Sequence, residues 1–155
     1  MMEIRDMLAP EAVAAHQKAS SKKQLFQEIA ARASAVCGIE ARTALDALLE
    51  RERLGATAMG RGVAAPHARV AGISRICGVF LRLEKPRDFE ALDDEPVDLV
   101  FALFAPEDAG ADHLRALARV SRALRDPAIC AKLRSCADSA ALYAILTETI
   151  SSRAA

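Results

Sequence analysis

Two continuous apolar runs constrain the fold of this chain more than any other feature. They are Ile76-Cys77-Gly78-Val79-Phe80-Leu81-Arg82-Leu83 and Val97-Asp98-Leu99-Val100-Phe101-Ala102-Leu103-Phe104. Their length and their β-branched and aromatic content read as strands covered on both faces rather than as helices. Such strands need apolar layers on either side, and the flanking sequence supplies helices to build them. Ser21-Lys22-Lys23-Gln24 has the Ser-x-x-Gln form of a capping box. The helix it opens carries Leu25, Ile29, Ala33 and Val36 on one face and stops at Gly38. A second helix runs from Ala41 to Leu54, with Leu45, Leu48 and Leu49 inward and Gly55 ending it.

Three more helical patterns follow the apolar runs. Asp112 reads as the cap of a helix running to Arg125, with Leu114, Leu117 and Leu124 as its apolar stripe. Asp126-Pro127 is a cap followed by proline at the first helical position, and Ile129 and Leu133 share a face. The last helix runs from Ser139 to Ile150 with Leu142, Ile145 and Leu146 inward. A weak, Ala-rich strand is expected from Ala12 to Gln17 and a short one from Val63 to Ala65. The order predicts an α/β fold, a three-layer α/β/α sandwich around a mixed, mostly parallel sheet of about five strands. With no repeat or linker in view, residues 1–155 read as a single domain.

Composition removes several function classes. Hydrophobic residues make up 52% of the chain, which excludes disorder, and the formal net charge is zero. A sequence-independent nucleic-acid binder needs a net basic surface, so no nucleic acid is expected as partner. No apolar run approaches the roughly 20 residues of a membrane helix. The acidic start, Met1-Met2-Glu3-Ile4-Arg5-Asp6, is unlike a secretion signal. We therefore expect no membrane insertion and a cytoplasmic location. Cys37, Cys77, Cys130 and Cys136 form no Cys-x-x-Cys pair and read as small buried hydrophobes in a reducing compartment.

The chemistry concentrates between Arg51 and His67. A Gly-rich turn at Gly60 to Gly62, a short apolar strand and Pro66 lead into the histidine. Proline fixes φ and so stiffens the mount of the imidazole. A neutral imidazole is a competent nucleophile, and its ordinary pKa near 6.5 leaves it mostly neutral at cellular pH. A phosphoryl group on it would need donors: turn amides, or a guanidinium fork from Arg51, Arg53, Arg61 or Arg69. His113, at the start of the Asp112 helix, could stand opposite His67 across a phosphate, whereas His16 reads as structural. The three histidines and four cysteines are too scattered for a metal site. Acids dominate from Glu84 to Asp112 and bases from His113 to Arg134. Arg115, Arg119 and Arg122 form one basic helix face, either simply solvated or a docking face for an acidic partner.

These residues carry a family resemblance. Glu52 to Ala68 resembles the phosphohistidine signature of enzyme IIA domains of the phosphotransferase system, in the fructose–mannitol–nitrogen-regulatory class. Phe89-Glu90-Ala91-Leu92-Asp93, Pro96 to Leu103 and His113-Leu114 are similar to later blocks of that class, and Ala19 to Lys23 resembles its nitrogen-regulatory branch. The resemblance implies that His67 is phosphorylated by a small histidine phosphocarrier protein. It implies that Arg51 neutralises the phosphoryl oxygens, and that His113 bonds the phosphoryl group or orients the His67 ring. No metal or organic cofactor is implied. The implied role is regulatory, through regulatory target proteins such as a kinase or transport system. A relay of phosphate to a sugar permease's IIB domain and a non-phosphorylated interaction module are the alternatives. Ala56, Ala58, Arg61, Ala65 and Ala68 depart from the residues usual in that class (Ser, Gly, Asn, a bulky aliphatic and Gly).

Overall fold

The computed structural model describes residues 3–149. In chain order its elements are α1 (Ile4–Met7), β1 (Val13–Gln17), α2 (Lys22–Cys37), α3 (Ala41–Arg53), β2 (Ala58–Gly60), β3 (Val63–Ala64), β4 (His67–Val70), β5 (Cys77–Arg87), β6 (Val97–Pro106), α4 (Ala111–Leu124), α5 (Pro127–Ser135) and α6 (Ser139–Ala144). A 3-10 turn at Pro10–Ala12 precedes β1, and a π turn at Ile145–Thr149 follows α6. The two apolar runs become β5 and β6, antiparallel neighbours with Phe80 opposite Phe101. Their rings meet edge to face at 5.9 Å. Both phenylalanines are fully buried, each stabilising the fold by about 1.5–3 kcal/mol through the area it removes from water.

The sheet order is β1-β5-β6-β3-β2, with β4 also paired to β6. β1 is parallel to β5, β3 and β4 are parallel to β6, and β2 is antiparallel to β3. β3 and β4 share one lane along β6: Val63 lies opposite Leu99, Ala64 opposite Val100 and His67 opposite Leu103. Pro66 interrupts that lane because it has no N–H to give, while its carbonyl accepts from the Leu103 amide at 2.9 Å. The six described strands therefore make a mixed sheet as expected, but one that is only partly parallel, with the β5–β6 and β2–β3 pairs antiparallel. α2 packs on β5, α3 on β4, α4 on β6 and α6 on β1, which completes the α/β sandwich.

The helix ends follow local chemistry. The Ser21 hydroxyl accepts from the Gln24 amide, and the Gln24 side chain closes back on Ser20 rather than on Ser21. Gly38 ends α2 at φ +74, a left-handed conformation suited to glycine. Asp126 caps α5 ahead of Pro127, and Asp138 caps α6. The first turn of α4 differs from expectation: Gly110 is its N-cap, and Asp112 sits inside the helix paired with Arg115.

The buried stripe of α4 differs in part. Leu124 is buried and Leu117 packs half-buried against the core as expected, but Leu114 is 66% exposed, and His113, Ala116, Val120 and Ala123 complete the buried face. Ile150, the expected end of the last helix, lies outside the described residues.

The cysteines also need correction. Cys37, at the end of α2, is disulfide-bonded to Cys77, at the start of β5, with Cα atoms 6.3 Å apart. Cys130 and Cys136 are free, the first buried and the second half-buried. Cys37 and Cys77 are 40 residues apart, so only the docking of α2 on the sheet brings them together. In a reducing compartment the pair would stand as two thiols.

Candidate active site

His67 is the first residue of β4, directly beyond the break at Pro66. Its Nδ1 lies 2.9 Å from the Ala65 carbonyl oxygen. A carbonyl only accepts, so Nδ1 carries the ring proton and Nε2 keeps the lone pair. Arg51, in the last turn of α3, directs Nε–H at that Nε2 over 3.3 Å, and its Nη1 donates to the Gly55 carbonyl at 3.0 Å. The guanidinium is thus held across the front of the nucleophilic nitrogen.

His113 comes from the other side. It lies in the first turn of α4, only 7% exposed, with its ring 5.6 Å from that of His67 and nearly perpendicular to it. Its Nε2 is buried without a hydrogen-bond partner among the described residues. The fold therefore brings His67, Arg51 and His113 together from three different elements. Of the other candidate arginines, Arg53 pairs with Glu50, while Arg69 donates to the Glu107 carbonyl and its charge is felt at His113. His16 adopts φ +59 and its Nε2 contacts the Ala137 carbonyl, a structural role as expected.

The Gly-rich turn is a two-residue hairpin between β2 and β3 with Arg61 and Gly62 both left-handed, at φ +57 and +81. Its polar groups are already engaged. The Arg61 amide donates to Asp93, the Arg61 carbonyl accepts from Arg134, and the Gly62 carbonyl accepts from the Asp98 and Leu99 amides. Arg134 also forks onto the Asp98 carboxylate. Glycine suits Gly62 on φ, and a Cβ there would lie 2.6 Å from Arg134 Nη2 and displace the end of that side chain. Of the turn amides that could serve a phosphate, that of Arg61 is thus spent on a clamp onto α5 and the acidic loop.

Sequence reasoning missed a second group beside the ring. Glu52 accepts from the Thr57 amide and hydroxyl and pairs with Lys22 at 2.8 Å, its side chain 8% exposed. A signal was present: Glu52 follows Leu45 and Leu48 at helical spacing, on the inward face of α3. Among the described residues no cluster of three or more histidine, cysteine or acidic side chains could hold a metal ion.

Burial lowers the pKa of His67 below its ordinary 6.5; Arg51 adds to that, while the Ala65 bond and Glu52 oppose it. Burial likewise lowers the pKa of His113, with His67 and Arg69 adding repulsion. Both rings are therefore neutral at pH 7. An unfolded ring binds its proton at higher pH than the folded one, so acid favours unfolding. The stability tied to these rings is complete above about pH 6.5 and is lost as pH falls through the folded values. We expect both rings to titrate below 6.5 by NMR, with a melting temperature that falls on acidification. That fall should be shallower in a His67→Ala/His113→Gln variant, and equal slopes would refute the linkage.

The model of the family described as "Phosphoenolpyruvate-dependent sugar phosphotransferase system, EIIA 2" matches residues 6–149. The chain belongs to this family. A nitrogen regulatory protein of Bradyrhizobium diazoefficiens is 52% identical over 145 residues, covering 94% of this chain and 95% of the relative. A fructose-specific EIIA component of Haloferax volcanii is 36% identical over 107 residues, covering 69% and 70%. The crystal structure of nitrogen regulatory protein IIA-Ntr from Neisseria meningitidis superposes with a TM-score of 0.88 at 33% identity, covering 93% of this chain and 99% of that one. No helix among the described residues of this EIIA chain is long and apolar enough to cross a membrane. At the hairpin, this member carries Arg61 at a left-handed position where asparagine is the easier residue. The bonds to Asp93 and Arg134 offset that strain.

Proposed function

We propose that this EIIA protein accepts a phosphoryl group on Nε2 of His67 from a histidine phosphocarrier protein, and signals through its phosphorylation state to regulatory target proteins, a kinase or a transport system, in the cytoplasm. The observation that carries this reading is the convergence of Arg51 and His113 on a ring whose Nδ1 is tied to the Ala65 carbonyl. The Nε2 lone pair attacks phosphorus in line, and the bond from phosphorus to the donor's ring nitrogen breaks with its electron pair returning to that ring. Nδ1 keeps its proton on Ala65 throughout, which supports the positive charge the ring acquires. Arg51 turns from Nε2 to the phosphoryl oxygens, and the unpartnered His113 Nε2 gives them a second polar contact. Binding, positioning and charge stabilisation are the whole of the catalysis. The added charge at one surface spot then alters which partners bind.

The greater likeness to nitrogen regulatory proteins favours this regulatory reading. A relay of phosphate to a sugar permease's IIB domain is the second reading, favoured by the fructose-specific relative. Incubation with labelled phosphoenolpyruvate, enzyme I and the phosphocarrier should give an acid-labile, base-stable label on the wild type. An unlabelled wild type beside a labelled control EIIA would leave only an interaction module. Arg51→Ala should slow labelling on the order of 100-fold with the fold intact, the scale of losing one charge-stabilising donor. An unchanged rate would remove Arg51 from the site. Onward transfer to a IIB domain would select the second reading.

A further inference from the structure

We infer that Glu52 is a positioning residue for His67, braced by Lys22 and acting through Thr57 and Ala65. This inference rests on the phosphoryl-acceptor reading and extends it to residues that never touch the ring. The path is continuous. Lys22, in the first turn of α2, places its Nζ 2.8 Å from Glu52 Oε2, with the lysine side chain only 20% exposed. The same ammonium lies 5.3 Å from the centre of the buried Phe89 ring. Glu52 Oε1 accepts from the Thr57 hydroxyl at 2.6 Å and Oε2 from the Thr57 amide at 3.0 Å. The Thr57 carbonyl accepts from the Ala65 amide at 3.1 Å, and the Ala65 carbonyl holds His67 Nδ1 at 2.9 Å.

Each link fixes one peptide group of the next. Residues 54 to 57 have no helix or strand of their own, and the Thr57–Ala65 backbone bond lies just beyond the Ala58–Ala64 pair that ends the β2–β3 hairpin. The carboxylate holds the Thr57 amide and hydroxyl on the α3 side of that bond, and without it residue 57 would be held from the hairpin side alone. The Ala65 carbonyl would then drift, and with it the tautomer that leaves Nε2 free to attack. A carboxylate accepts from both Thr57 groups and the ammonium at once; a glutamine loses the charge that pairs with Lys22, and its NH2 would force the Thr57 hydroxyl to reverse its bond. Glu52 lies one residue after Arg51, so the same turn of α3 carries the ring's guanidinium and the anchor of the ring's mount.

The test is Glu52→Gln, with Thr57→Val and Thr57→Ser as companions, checked for folding by circular dichroism. In 15N-histidine protein the wild-type His67 ring should show a protonated Nδ1 and a bare Nε2. Glu52→Gln should mix the two tautomers. It should lower the single-turnover rate of phosphoryl transfer about tenfold or more, with the KM for the phosphorylated carrier little changed. Thr57→Val should move both readouts in the same direction by less, and Thr57→Ser should restore them. Folded Glu52→Gln and Thr57→Val proteins with wild-type tautomer and rate would overturn the inference. If Glu52→Gln does not fold, the two Thr57 variants decide. A wild type that takes no label would sink the phosphoryl-acceptor reading instead, and the ring shifts would still report on the brace.

Discussion

Replacing His67 with alanine should remove the acid-labile phosphoryl label completely while the chain stays folded. The imidazole supplies the attacking nitrogen, and Arg51, the side chain bonded to it, cannot take its place, being permanently protonated with no lone pair for phosphorus. The fold should tolerate the loss because the ring is half-buried and, besides the contact from Arg51, bonds only the Ala65 carbonyl. That bond is worth about 1 kcal/mol, small beside the stability of a domain. The comparison to make is label stoichiometry by intact mass, with thermal melts on the same samples. His113 is the rival acceptor, since its Nε2 is unpartnered and its ring lies 5.6 Å away. A label that persists in His67→Ala and disappears in His113→Ala would move the acceptor to α4.

The central strands were legible because their residues are apolar without interruption over the length of a strand. Periodicity then identified the flanking helices, and Ser21, Gly38 and Asp126 marked their ends through capping chemistry that depends only on neighbours in the chain. The face of α4 was legible only in part: Leu117 and Leu124 turn inward, but the small and polar side chains of Ala116 and His113 fill the first turns where Leu114 was expected. The disulfide escaped because Cys37 and Cys77 sit at the ends of elements whose docking is a tertiary fact.

The candidate site divides the same way. His67, Arg51 and His113 carry chemistry that residue type alone announces, and the fold assembles them. The Gly60–Gly62 turn misled because glycines beside a histidine suggest a phosphate cradle. Here they make a hairpin whose amide is spent on Asp93 and whose geometry is held by Arg134. Glu52 and Thr57 were overlooked because their contribution lies in bonds to backbone groups, which leave little trace in residue type.

Arg82 is the one charge in the buried part of β5, residues 77–83, and replacing it should cost more stability than any other single change to the sheet's polar groups. The side chain is 7% exposed on β5, opposite Leu99 of β6. Among the described residues no carboxylate lies within ion-pair distance of it; its Nη1 donates instead to the Leu133 and Cys136 carbonyls at the end of α5. Those carbonyls are orphans of the helix terminus, where the helix dipole favours a positive charge. The guanidinium therefore satisfies two backbone acceptors and draws its own compensation from the same place. Arg82→Met keeps the apolar stem and leaves both carbonyls buried and unpaired, a loss of about 3 kcal/mol by denaturant unfolding. The melting temperature should fall by roughly 10 °C. Arg82→Lys should recover part of this, because its ammonium also offers one nitrogen with donors for both carbonyls, but on a shorter stem and with a larger cost of leaving water. Phosphoryl transfer to His67, measured well below the melting range, should be unaffected, since Arg82 donates to α5 while the His67 mount hangs from α3 and β6. A loss below about 1 kcal/mol would mean that the end of α5 finds other donors and that the buried guanidinium is dispensable.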